Sequence, residues 1–369
     1  MLTKIRNSFL GFIYTKILKP LFFRFDPENV HNRLVRTGEL LGKTALGQSL
    51  VRGLFFYKHP ALEQKILGIT FKNPVGLAAG FDKNAELTQI LPSVGFGFEE
   101  VGSITGFPCI GNPKPRLWRL IKSRGLLVYY GLKNDGCEAI AQRLQNNKFE
   151  FPLGISIAKT NSPKVISPED GIADYVKAYK AFEDIGDYCT INISCPNVFG
   201  GEPFTEPKRL QSLLEAISKL PKPKPIFLKM PAELPFAIVD GIIELSRKYK
   251  IDGFICANLA KDRQNSAVID KDFPSVGGMS GKVVEKLSND LIKYIYGKTR
   301  GEFIIIGCGG VFSAADAYKK IRLGASLIQL ITGMIYEGPQ LISEINQGLV
   351  SLLKKDGFTN ISQAVGKDI

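Results

Sequence analysis

The sequence contains few residues of the kinds that build metal centres and disulfide frameworks. Only two histidines, His31 and His59, occur among 369 residues, which excludes a histidine-rich metal site. The six cysteines include no CxxC pair and no spacing typical of metal ligands. Several of them, such as Cys256 and Cys308, lie in apolar runs, and we expect free, buried thiols of the kind found in a reducing compartment.

Sequence features of membrane-spanning and nucleic-acid-binding proteins are also absent. No uninterrupted run of about 18 apolar residues occurs, so no spanning helix is expected. Lysines break the apolar start of the chain, so a cleavable signal peptide is not expected either. The formal charge of +13 comes without an RNP, zinc-finger or helix-turn-helix signature. We therefore expect no nucleic-acid partner, and an anionic membrane surface or an anionic small ligand instead.

The N-terminal segment mixes basic and apolar side chains. Its lysines and arginines, from Lys4 to Arg24, interrupt the apolar residues Phe9, Leu10, Phe12, Ile13, Tyr14, Ile17, Leu18, Leu21, Phe22 and Phe23. A segment of this kind can lie in a membrane interface with its lysines at the headgroups. The alternative is that it caps the domain core.

A second helix is predicted directly after this segment. Asp26-Pro27-Glu28 is typical of a helix start, with proline at the first helical position, and apolar residues continue to Leu41. Residues 1–45 are therefore predicted to form a helical, membrane-associating extension. Residues 46–369 are predicted to form a separate main domain.

From about residue 66, short β-rich runs alternate with longer helical stretches. The candidate strands are Pro74–Ala78, Phe98–Ser103, Leu153–Ile157, Thr190–Ile193, Ile226–Lys229, Gly253–Cys256, Phe303–Ile306 and Ser326–Leu330. Most of these runs are apolar throughout, as strands covered by helices on both faces should be. The alternation predicts an α/β fold, a (β/α)8 TIM barrel. The rival, a doubly wound open sheet, usually carries an early GxGxxG, which is missing.

Polar, glycine and lysine residues follow nearly every candidate strand. In chain order they are Ala79-Gly80-Phe81-Asp82-Lys83-Asn84, Ser103-Ile104-Thr105, Lys159, Asn192 to Asn197, Lys229, Asn258, Gly309-Gly310 and Thr332-Gly333. In barrels of this kind the functional residues lie at the C-terminal ends of the strands. The clustering therefore predicts a ligand site at that end.

Two of these groups indicate what the ligand carries. Gly309-Gly310 and Thr332-Gly333 follow the last two strands, where such barrels bind phosphate, and glycine amides can approach a phosphate closely. Lys229 ends a buried strand, where a lysine is costly unless it meets an anion. A flavin that becomes negative on reduction is one such anion, and an internal salt bridge is the alternative.

The remaining side chains suit a hydrogen-bonded substrate and a base. Donors and acceptors that match the edges of a pyrimidine ring are offered by Asn134, Asn192, Asn197 and Asn258, although any single asparagine here is more often a turn residue. Lys83 can take a ligand carboxylate. Cys195 lies in a Pro/Asn-flanked loop at a strand end, and a thiol with a pKa of about 8.5 supplies some thiolate at neutral pH.

Five motifs together carry a family resemblance. They are Asn73-Pro-Val-Gly-Leu-Ala-Ala-Gly-Phe-Asp-Lys-Asn84, Gly111-Asn-Pro-Lys-Pro-Arg-Leu-Trp-Arg119, Asn192-Ile-Ser-Cys-Pro-Asn197, Gly277-Gly-Met-Ser-Gly281 and Gly324-Ala-Ser-Leu-Ile-Gln329. Over about residues 20–350 the chain resembles dihydroorotate dehydrogenases. Asp26-Pro-Glu-Asn-Val-His31 is similar to the helical extension of the membrane-associated, quinone-reducing class.

The resemblance implies a barrel that binds FMN and oxidises dihydroorotate to orotate in pyrimidine biosynthesis. It implies FMN contacts at Ala79, Gly80, Ser103, Asn192, Lys229, Gly281, Gly309, Gly310, Thr332 and Gly333. It implies dihydroorotate contacts at Lys83, Asn134, Asn192, Asn197 and Asn258. His31 and Arg119 resemble the polar residues that line the quinone tunnel of that class, which is peripheral on the cytoplasmic side of a membrane.

Four residues depart from the pattern of the quinone class. Cys195 stands where that class has a serine base, and it resembles the soluble class instead. The other departures are Ser156 for an FMN-contacting asparagine, Leu259 for a threonine or serine, and Ile331 for a tyrosine. A soluble-type enzyme that uses fumarate or another electron acceptor is therefore an alternative.

Two further alternatives come from other classes of protein. A tRNA dihydrouridine synthase shares the flavin barrel and would use the positive charge, but it gives no reason for the N-terminal amphipathic helices. The last alternative is a non-catalytic barrel that only binds a flavin or phosphate ligand. Our hypothesis is that Cys195 removes the C5 proton of dihydroorotate while a hydride leaves C6 for FMN, with Lys229 stabilising the reduced flavin.

Overall fold

A computed structural model of the chain describes residues 2–195, 197, 201 and 203–369. Pro196, which belongs to the predicted motif 192–197 around Cys195, lies outside the described residues. No helix within the described ranges is long and apolar enough to cross a membrane.

The helices form an N-terminal group and a second group that alternates with strands. They are α1 Leu2–Ile13, which continues through a π-helical turn at Tyr14–Leu18, α2 Lys19–Phe22, α3 Pro27–Gly42, α4 Ala45–Phe55, α5 Leu91–Val94, α6 Cys137–Leu144, α7 Pro168–Ala181, α8 Pro207–Ser218, α9 Phe236–Lys248, α10 Glu285–Thr299, α11 Ala314–Arg322, α12 Thr332–Glu337 and α13 Leu341–Lys355.

The strands form a closed barrel, a hairpin and a small antiparallel sheet. They are β1 Gln64–Ile66, β2 Ile69–Phe71, β3 Val75–Leu77, β4 Phe98–Ile104, β5 Leu117–Leu120, β6 Gly125–Val128, β7 Leu153–Ile157, β8 Tyr188–Asn192, β9 Ile226–Met230, β10 Gly253–Cys256, β11 Gly278–Gly281, β12 Ile304–Cys308 and β13 Leu327–Leu330. The barrel runs β3-β4-β7-β8-β9-β10-β12-β13, with parallel neighbours, and Ile328 of β13 pairs with Val75 of β3 to close it. The predicted TIM barrel is confirmed.

The barrel strands are the eight predicted runs, with small differences at their ends. The run predicted at Thr190–Ile193 is the strand Tyr188–Asn192, and the run predicted at Phe303–Ile306 is the strand Ile304–Cys308. The strands are buried almost throughout because helices cover the outside and side chains fill the inside. The barrel places the ends of these strands at one rim.

Aromatic rings fill the barrel interior by lying over glycines of neighbouring strands. A Cβ on Gly76 would lie 2.3 Å from the Phe98 ring, and a Cβ on Gly154 would lie 2.1 Å from the Tyr188 ring. Both rings are almost completely buried. The barrel is therefore a packed core rather than a pore, and a ligand site is left only where the strands end.

The N-terminal helices attach to the barrel through polar contacts. Asn7, the buried residue of α1, donates from Nδ2 to Ser343 Oγ on α13 at 3.0 Å, and the Tyr14 hydroxyl donates to the Ile335 carbonyl on α12 at 2.7 Å. The predicted start of α3 is confirmed, because Asp26 caps it by accepting from the Asn29 amide at 2.8 Å. The helical group continues beyond residue 45 into α4.

Candidate active site

A cavity with about 1300 Å³ of empty space, part of it open to solvent, lies at the C-terminal ends of the barrel strands. The antiparallel sheet β5-β6-β11 forms one wall of it, through residues such as Leu117, Val128 and Gly281. Predicted site residues that line the cavity are His31, Ala79, Gly80, Lys83, Ser103, Asn192, Cys195, Asn197, Lys229, Asn258, Gly281, Gly309, Gly310, Thr332 and Gly333.

The structure does not bring Asn134 and Arg119 into the lining of this cavity. The Asn134 amide donates to Thr105 Oγ1 and accepts from the Gly136 amide, each at 2.8 Å, so its side chain stabilises its own loop. The Arg119 guanidinium donates to the carbonyls of Phe22, Phe23 and Phe25 at 2.8–3.4 Å. Arg119 therefore holds the end of α2 against β5.

The loop that carries Cys195 is anchored by two of the predicted asparagines. Asn192 Oδ1 accepts from Ser194 Oγ at 2.9 Å, and Asn258 Nδ2 donates to the Ser194 carbonyl at 2.8 Å. Asn197 donates from Nδ2 to the Val128 carbonyl at 2.8 Å, which ties the loop to β6. These contacts present the half-buried Cys195 at the cavity.

A buried lysine to which the sequence analysis gave no role lies within electrostatic range of this cysteine. Lys159, which follows β7, is buried, and its ammonium donates to the Val165 carbonyl at 2.9 Å. Burial lowers the pKa of Lys159, while the charges of Asp174 and of a Cys195 thiolate oppose that shift. The interaction is mutual, so the Lys159 ammonium favours the thiolate form of Cys195. The signal in the sequence was a lysine directly after an apolar strand.

Lys229 both lines the cavity and forms the internal ion pair that was the alternative. Its Nζ lies 3.7 Å from Glu100 Oε1, and both side chains are at most 5% exposed. Glu100 Oε2 accepts from Thr190 Oγ1 at 3.0 Å and from Gln329 Nε2 at 3.1 Å. The carboxylate thus fixes the ammonium in place at the base of the cavity.

Ser103 and Asn192 form the polar floor beside Lys229. Asn192 Nδ2 donates to Ser103 Oγ at 2.8 Å, and Ser103 Oγ shares a hydrogen bond of 2.7 Å with Ser156 Oγ. Ser156 is fully buried behind Ser103 and does not line the cavity. Ser156, which stands where the resemblance implies an FMN-contacting asparagine, is therefore separated from the cavity by Ser103.

The glycines after β3 and β12 line the cavity for two different reasons. Gly80 has φ +111°, and a Cβ there would meet nothing closer than Ile331 Cδ1 at 3.9 Å, so its backbone is accessible from the cavity. Gly310 has φ +75°, and a Cβ there would lie 2.3 Å from Glu285 Cβ, so glycine allows this turn to pack closely against the start of α10.

Lys83 also lines the cavity, and it forms no ion pair with any of the described residues. Its Nζ lies 4.1 Å from the centre of the Tyr130 ring, whose other cationic neighbour is Arg116 at 5.3 Å. Burial and the nearby Lys133 lower the pKa of Lys83 to about 7. A bound anion would reverse this shift, because it would favour the charged ammonium.

His31 connects α3 to the loop after β3. Its Nε2 lies 2.9 Å from the Phe81 carbonyl, and the two rings meet edge to face at 4.8 Å. Since a carbonyl only accepts, Nε2 carries the proton. Burial lowers the pKa of His31 to about 3, so the ring is neutral.

Two buried carboxyl groups, Asp82 and Glu99, lie together close to Lys83. Both are completely buried, and Asp82 accepts from the amides of Glu86 and Leu87 at 2.8 and 2.6 Å. Burial and the adjacent Asp82 raise the pKa of Glu99 well above its ordinary value. Glu99 is therefore the protonated partner that donates to Asp82.

Replacing Glu99 by glutamine is expected to change the free energy of unfolding near pH 4 by less than about 1 kcal/mol, because an amide also donates to Asp82. The raised pKa in the folded state stabilises wild type below the ordinary pKa of glutamate, and this contribution is lost as pH rises through the raised value. E99Q should therefore become the more stable protein at pH 9. Urea unfolding at both pH values measures this, with exposed Glu138→Gln as control; parallel pH profiles would contradict it.

Comparison with known proteins identifies the family of the chain. A family model described as dihydroorotate dehydrogenase matches residues 61–353. The dihydroorotate dehydrogenase (quinone) of Gloeobacter violaceus is 37% identical over 353 residues, covering 95% of this chain and 98% of that protein. The protein of the same name from Natronomonas pharaonis is 37% identical over 354 residues, covering 96% and 99%.

Solved structures agree with the sequence comparison. The crystal structure of the Eimeria tenella dihydroorotate dehydrogenase in complex with ferulenol matches with a TM-score of 0.82 at 29% identity, covering 93% of this chain and 96% of that one. The ligand-free form from the same organism matches with a TM-score of 0.79. The chain therefore belongs to the dihydroorotate dehydrogenase family, a family of flavin-dependent oxidoreductases.

Proposed function

We propose that this enzyme oxidises (S)-dihydroorotate to orotate with bound FMN and passes the electrons to a quinone. The observation that carries the proposal is the convergence of Cys195, Lys83 and Lys229 on one cavity, together with three of the four predicted asparagines. A base, a cation for a carboxylate and a cation for a reduced flavin thereby face the same space. The matching relatives are named for the same oxidation and for quinone.

The residues around the cavity fit FMN. Backbone at Gly309, Gly310, Thr332 and Gly333 would hold the phosphate, and Ala79, Gly80 and Gly281 would lie along the ring system. Ser103, Asn192 and Lys229 would hold the polar edge of the ring. When bound, FMN supplies the acceptor for the hydride from C6 of the substrate.

The protein contributes the proton transfer and the orientation of the substrate. Cys195 Sγ takes the proton from C5, and the Lys159 ammonium favours the thiolate that does so. Asn192, Asn197 and Asn258 orient the substrate ring, and their hydrogen bonds also fix the Cys195 loop. Lys229, held by Glu100, stabilises negative charge at the base of the cavity.

The apolar end of the cavity supports the quinone part of the proposal. Leu117, Leu126, Val128 and Ile335 line this end, below the N-terminal helices that the Tyr14 and Arg119 hydrogen bonds hold in place. Ile331 is apolar where the quinone class has tyrosine, so the lining offers fewer hydrogen bonds there. An apolar passage beside α2 and α3 suits a quinone headgroup that arrives from a lipid phase.

The exposed surface of the N-terminal helices supports peripheral membrane binding. The side of α1 that faces the barrel carries buried Asn7, whereas Leu2, Ile5, Phe9 and Phe12 are 57–84% exposed. Further exposed apolar residues on the same helical group are Ile17, Leu18, Leu21, Phe25, Leu34, Leu40, Leu41, Leu46, Leu50 and Leu54. A helix that is polar toward the protein and apolar toward its surroundings, with exposed basic residues, matches an anionic membrane surface.

Replacing Phe9 and Phe12 by glutamate is expected to reduce binding to anionic vesicles by at least about tenfold per residue, because each change exchanges a large apolar group for a charge. Sedimentation with phosphatidylglycerol-containing vesicles measures the binding. The control is Leu67→Glu, an exposed residue in the β1–β2 turn and outside these helices. Undiminished binding of the double variant would assign the apolar face another role.

The proposed function is tested by a visible spectrum followed by anaerobic reduction. We expect a flavin spectrum from the purified protein, release of FMN on denaturation, and bleaching by dihydroorotate. Separate addition of a quinone and of fumarate then distinguishes the two electron acceptors. Fumarate is included because the cysteine at position 195 resembles the soluble class. A colourless protein that takes up no flavin, or a flavin that dihydroorotate does not bleach, would contradict the proposal.

A further inference from the structure

Resting on the proposed function, we propose that Lys133 binds the carboxylate of dihydroorotate together with Lys83, as a specificity-determining residue of this chain. Both side chains line the cavity. Lys133 lies one residue before Asn134, whose side chain turns away from the cavity into its own loop. Lys133 therefore lines the cavity in place of Asn134, whose side-chain amide was predicted to contact the substrate.

The backbone around Lys133 is fixed on both sides. Asn134 exchanges two backbone hydrogen bonds of 2.9 Å with Cys109, and the Asn112 amide donates to the Tyr130 carbonyl at 3.0 Å. The Asn161 side chain also donates to the Gly131 carbonyl at 3.1 Å. These hydrogen bonds fix the position of the Lys133 Cα, so its ammonium reaches only a small region of the cavity.

No carboxylate of the described residues pairs with Lys83 or Lys133. The acidic groups that face Lys83 are Asp82 and Glu28. Asp82 is occupied by two backbone amides and by Glu99, and Glu28 forms a bidentate pair with Arg116. The neutral His31 adds no negative charge.

The two ammonium groups thus repel each other until an anion lies between them. Burial is the largest cause of the lowered pKa of Lys83, and the charge of Lys133 is the second largest. The carboxylate is the only full charge of dihydroorotate and orotate, so it is the group that gains from this pair of cations. Dihydrouracil, which lacks the carboxylate, gains nothing from them.

The test compares orotate binding to the flavin-loaded wild type, Lys133→Gln, Lys133→Arg and Lys114→Gln. Lys114 is the matched control because its exposed ammonium also lies near Glu28, at 3.6 Å, but does not line the cavity. We expect K133Q to weaken orotate binding and to raise KM for dihydroorotate by roughly ten- to hundredfold, with little change in the limiting rate of flavin reduction. K133R should restore most of the affinity, and K114Q should match wild type.

The pH profile gives a second readout that a merely structural role would not move. Without Lys133 the pKa of Lys83 rises, so Lys83 stays charged to higher pH and the alkaline loss of orotate binding shifts upward in K133Q. K133Q affinity within twofold of wild type, or an equal loss in K114Q, would overturn the inference. Failure of dihydroorotate to bleach the wild-type flavin would overturn the proposed function, whereas wild-type-like K133Q affinity in an enzyme whose flavin is bleached would overturn only the role of Lys133.

Discussion

Replacing Cys195 by alanine is expected to slow the reduction of the bound flavin by dihydroorotate by about 10²–10⁴-fold, the usual contribution of a positioned general base. The flavin should stay bound, because its predicted contacts at Ser103, Asn192 and Lys229 do not involve the thiol. Stopped-flow absorbance under anaerobic conditions measures the rate, and the visible spectrum measures the occupancy.

Two comparisons make this experiment specific for the base. Cys137→Ala removes a buried thiol outside the cavity and should leave the rate unchanged. Cys195→Ser should retain part of the rate but need higher pH, because a hydroxyl is a much weaker acid than a thiol and Lys159 is placed to favour a thiolate. Flavin reduction in C195A at the wild-type rate would remove the cysteine from its proposed role.

The barrel could be predicted because each of its strands is recognisable from its own stretch of sequence. Strands that are covered on both faces are apolar throughout, so runs such as Leu153–Ile157 are visible in the sequence without knowledge of the fold. Barrel closure then brings the residues after each strand to one rim. That is why thirteen of the seventeen predicted site residues line one cavity, and Gly281 of β11 and His31 of α3 bring the number to fifteen.

Side-chain directions in loops were not predictable in the same way. Leu132 adopts φ +59°, a left-handed conformation that no propensity assigns to leucine, and it helps to direct Lys133 to the cavity and Asn134 away from it. Arg119 lies on a strand with a partly exposed face, and its guanidinium binds backbone carbonyls at the end of α2 and just after it rather than a ligand. Such outcomes depend on local turns and on contacts distant in sequence.

Buried charges were visible in the sequence, but their pairing was not. Glu99 and Glu100 are adjacent in an apolar strand, so their side chains point to opposite faces of it. Glu100 faces the barrel interior and holds Lys229, whereas Glu99 faces outward and meets Asp82. The alternation of faces along one strand thereby separates the carboxylate that holds Lys229 at the cavity from the one that meets Asp82.

Replacing Glu28 by glutamine is expected to reduce the free energy of unfolding by about 3–5 kcal/mol, because it leaves a buried guanidinium without its counter-charge. Glu28 and Arg116 are 4% and 5% exposed and form two hydrogen bonds, of 3.1 and 2.8 Å. The loss should fall at the lower end, since Arg116 Nη1 keeps the Ile110 and Asn112 carbonyls at 2.7 and 2.9 Å. Chemical denaturation measures the change.

The pH dependence and two controls identify the source of that loss. Burial raises the pKa of Glu28, but the hydrogen bonds and charge of Arg116, together with the charges of Lys114 and Lys133, lower it below its ordinary value. A pKa that is depressed in the folded state gives stability above the ordinary pKa of glutamate, and that stability is lost as pH falls through the lowered value. The difference between wild type and E28Q should therefore shrink in acid. Lys114→Ala, at the exposed edge of the same carboxylate, should cost less than about 1 kcal/mol.

The same substitution is expected to separate the two half-reactions. Glu28 and His31 lie one turn apart on α3, so loss of the ion pair loosens the helix that carries His31 to the Phe81 carbonyl. Reduction of the flavin by dihydroorotate depends on residues at the rim of the barrel, and its rate should change little in E28Q. Under the proposed function, reoxidation by quinone uses the apolar passage beside α2 and α3 and should slow. Equal slowing of both half-reactions would show that Glu28 supports the whole fold rather than the docking of α3.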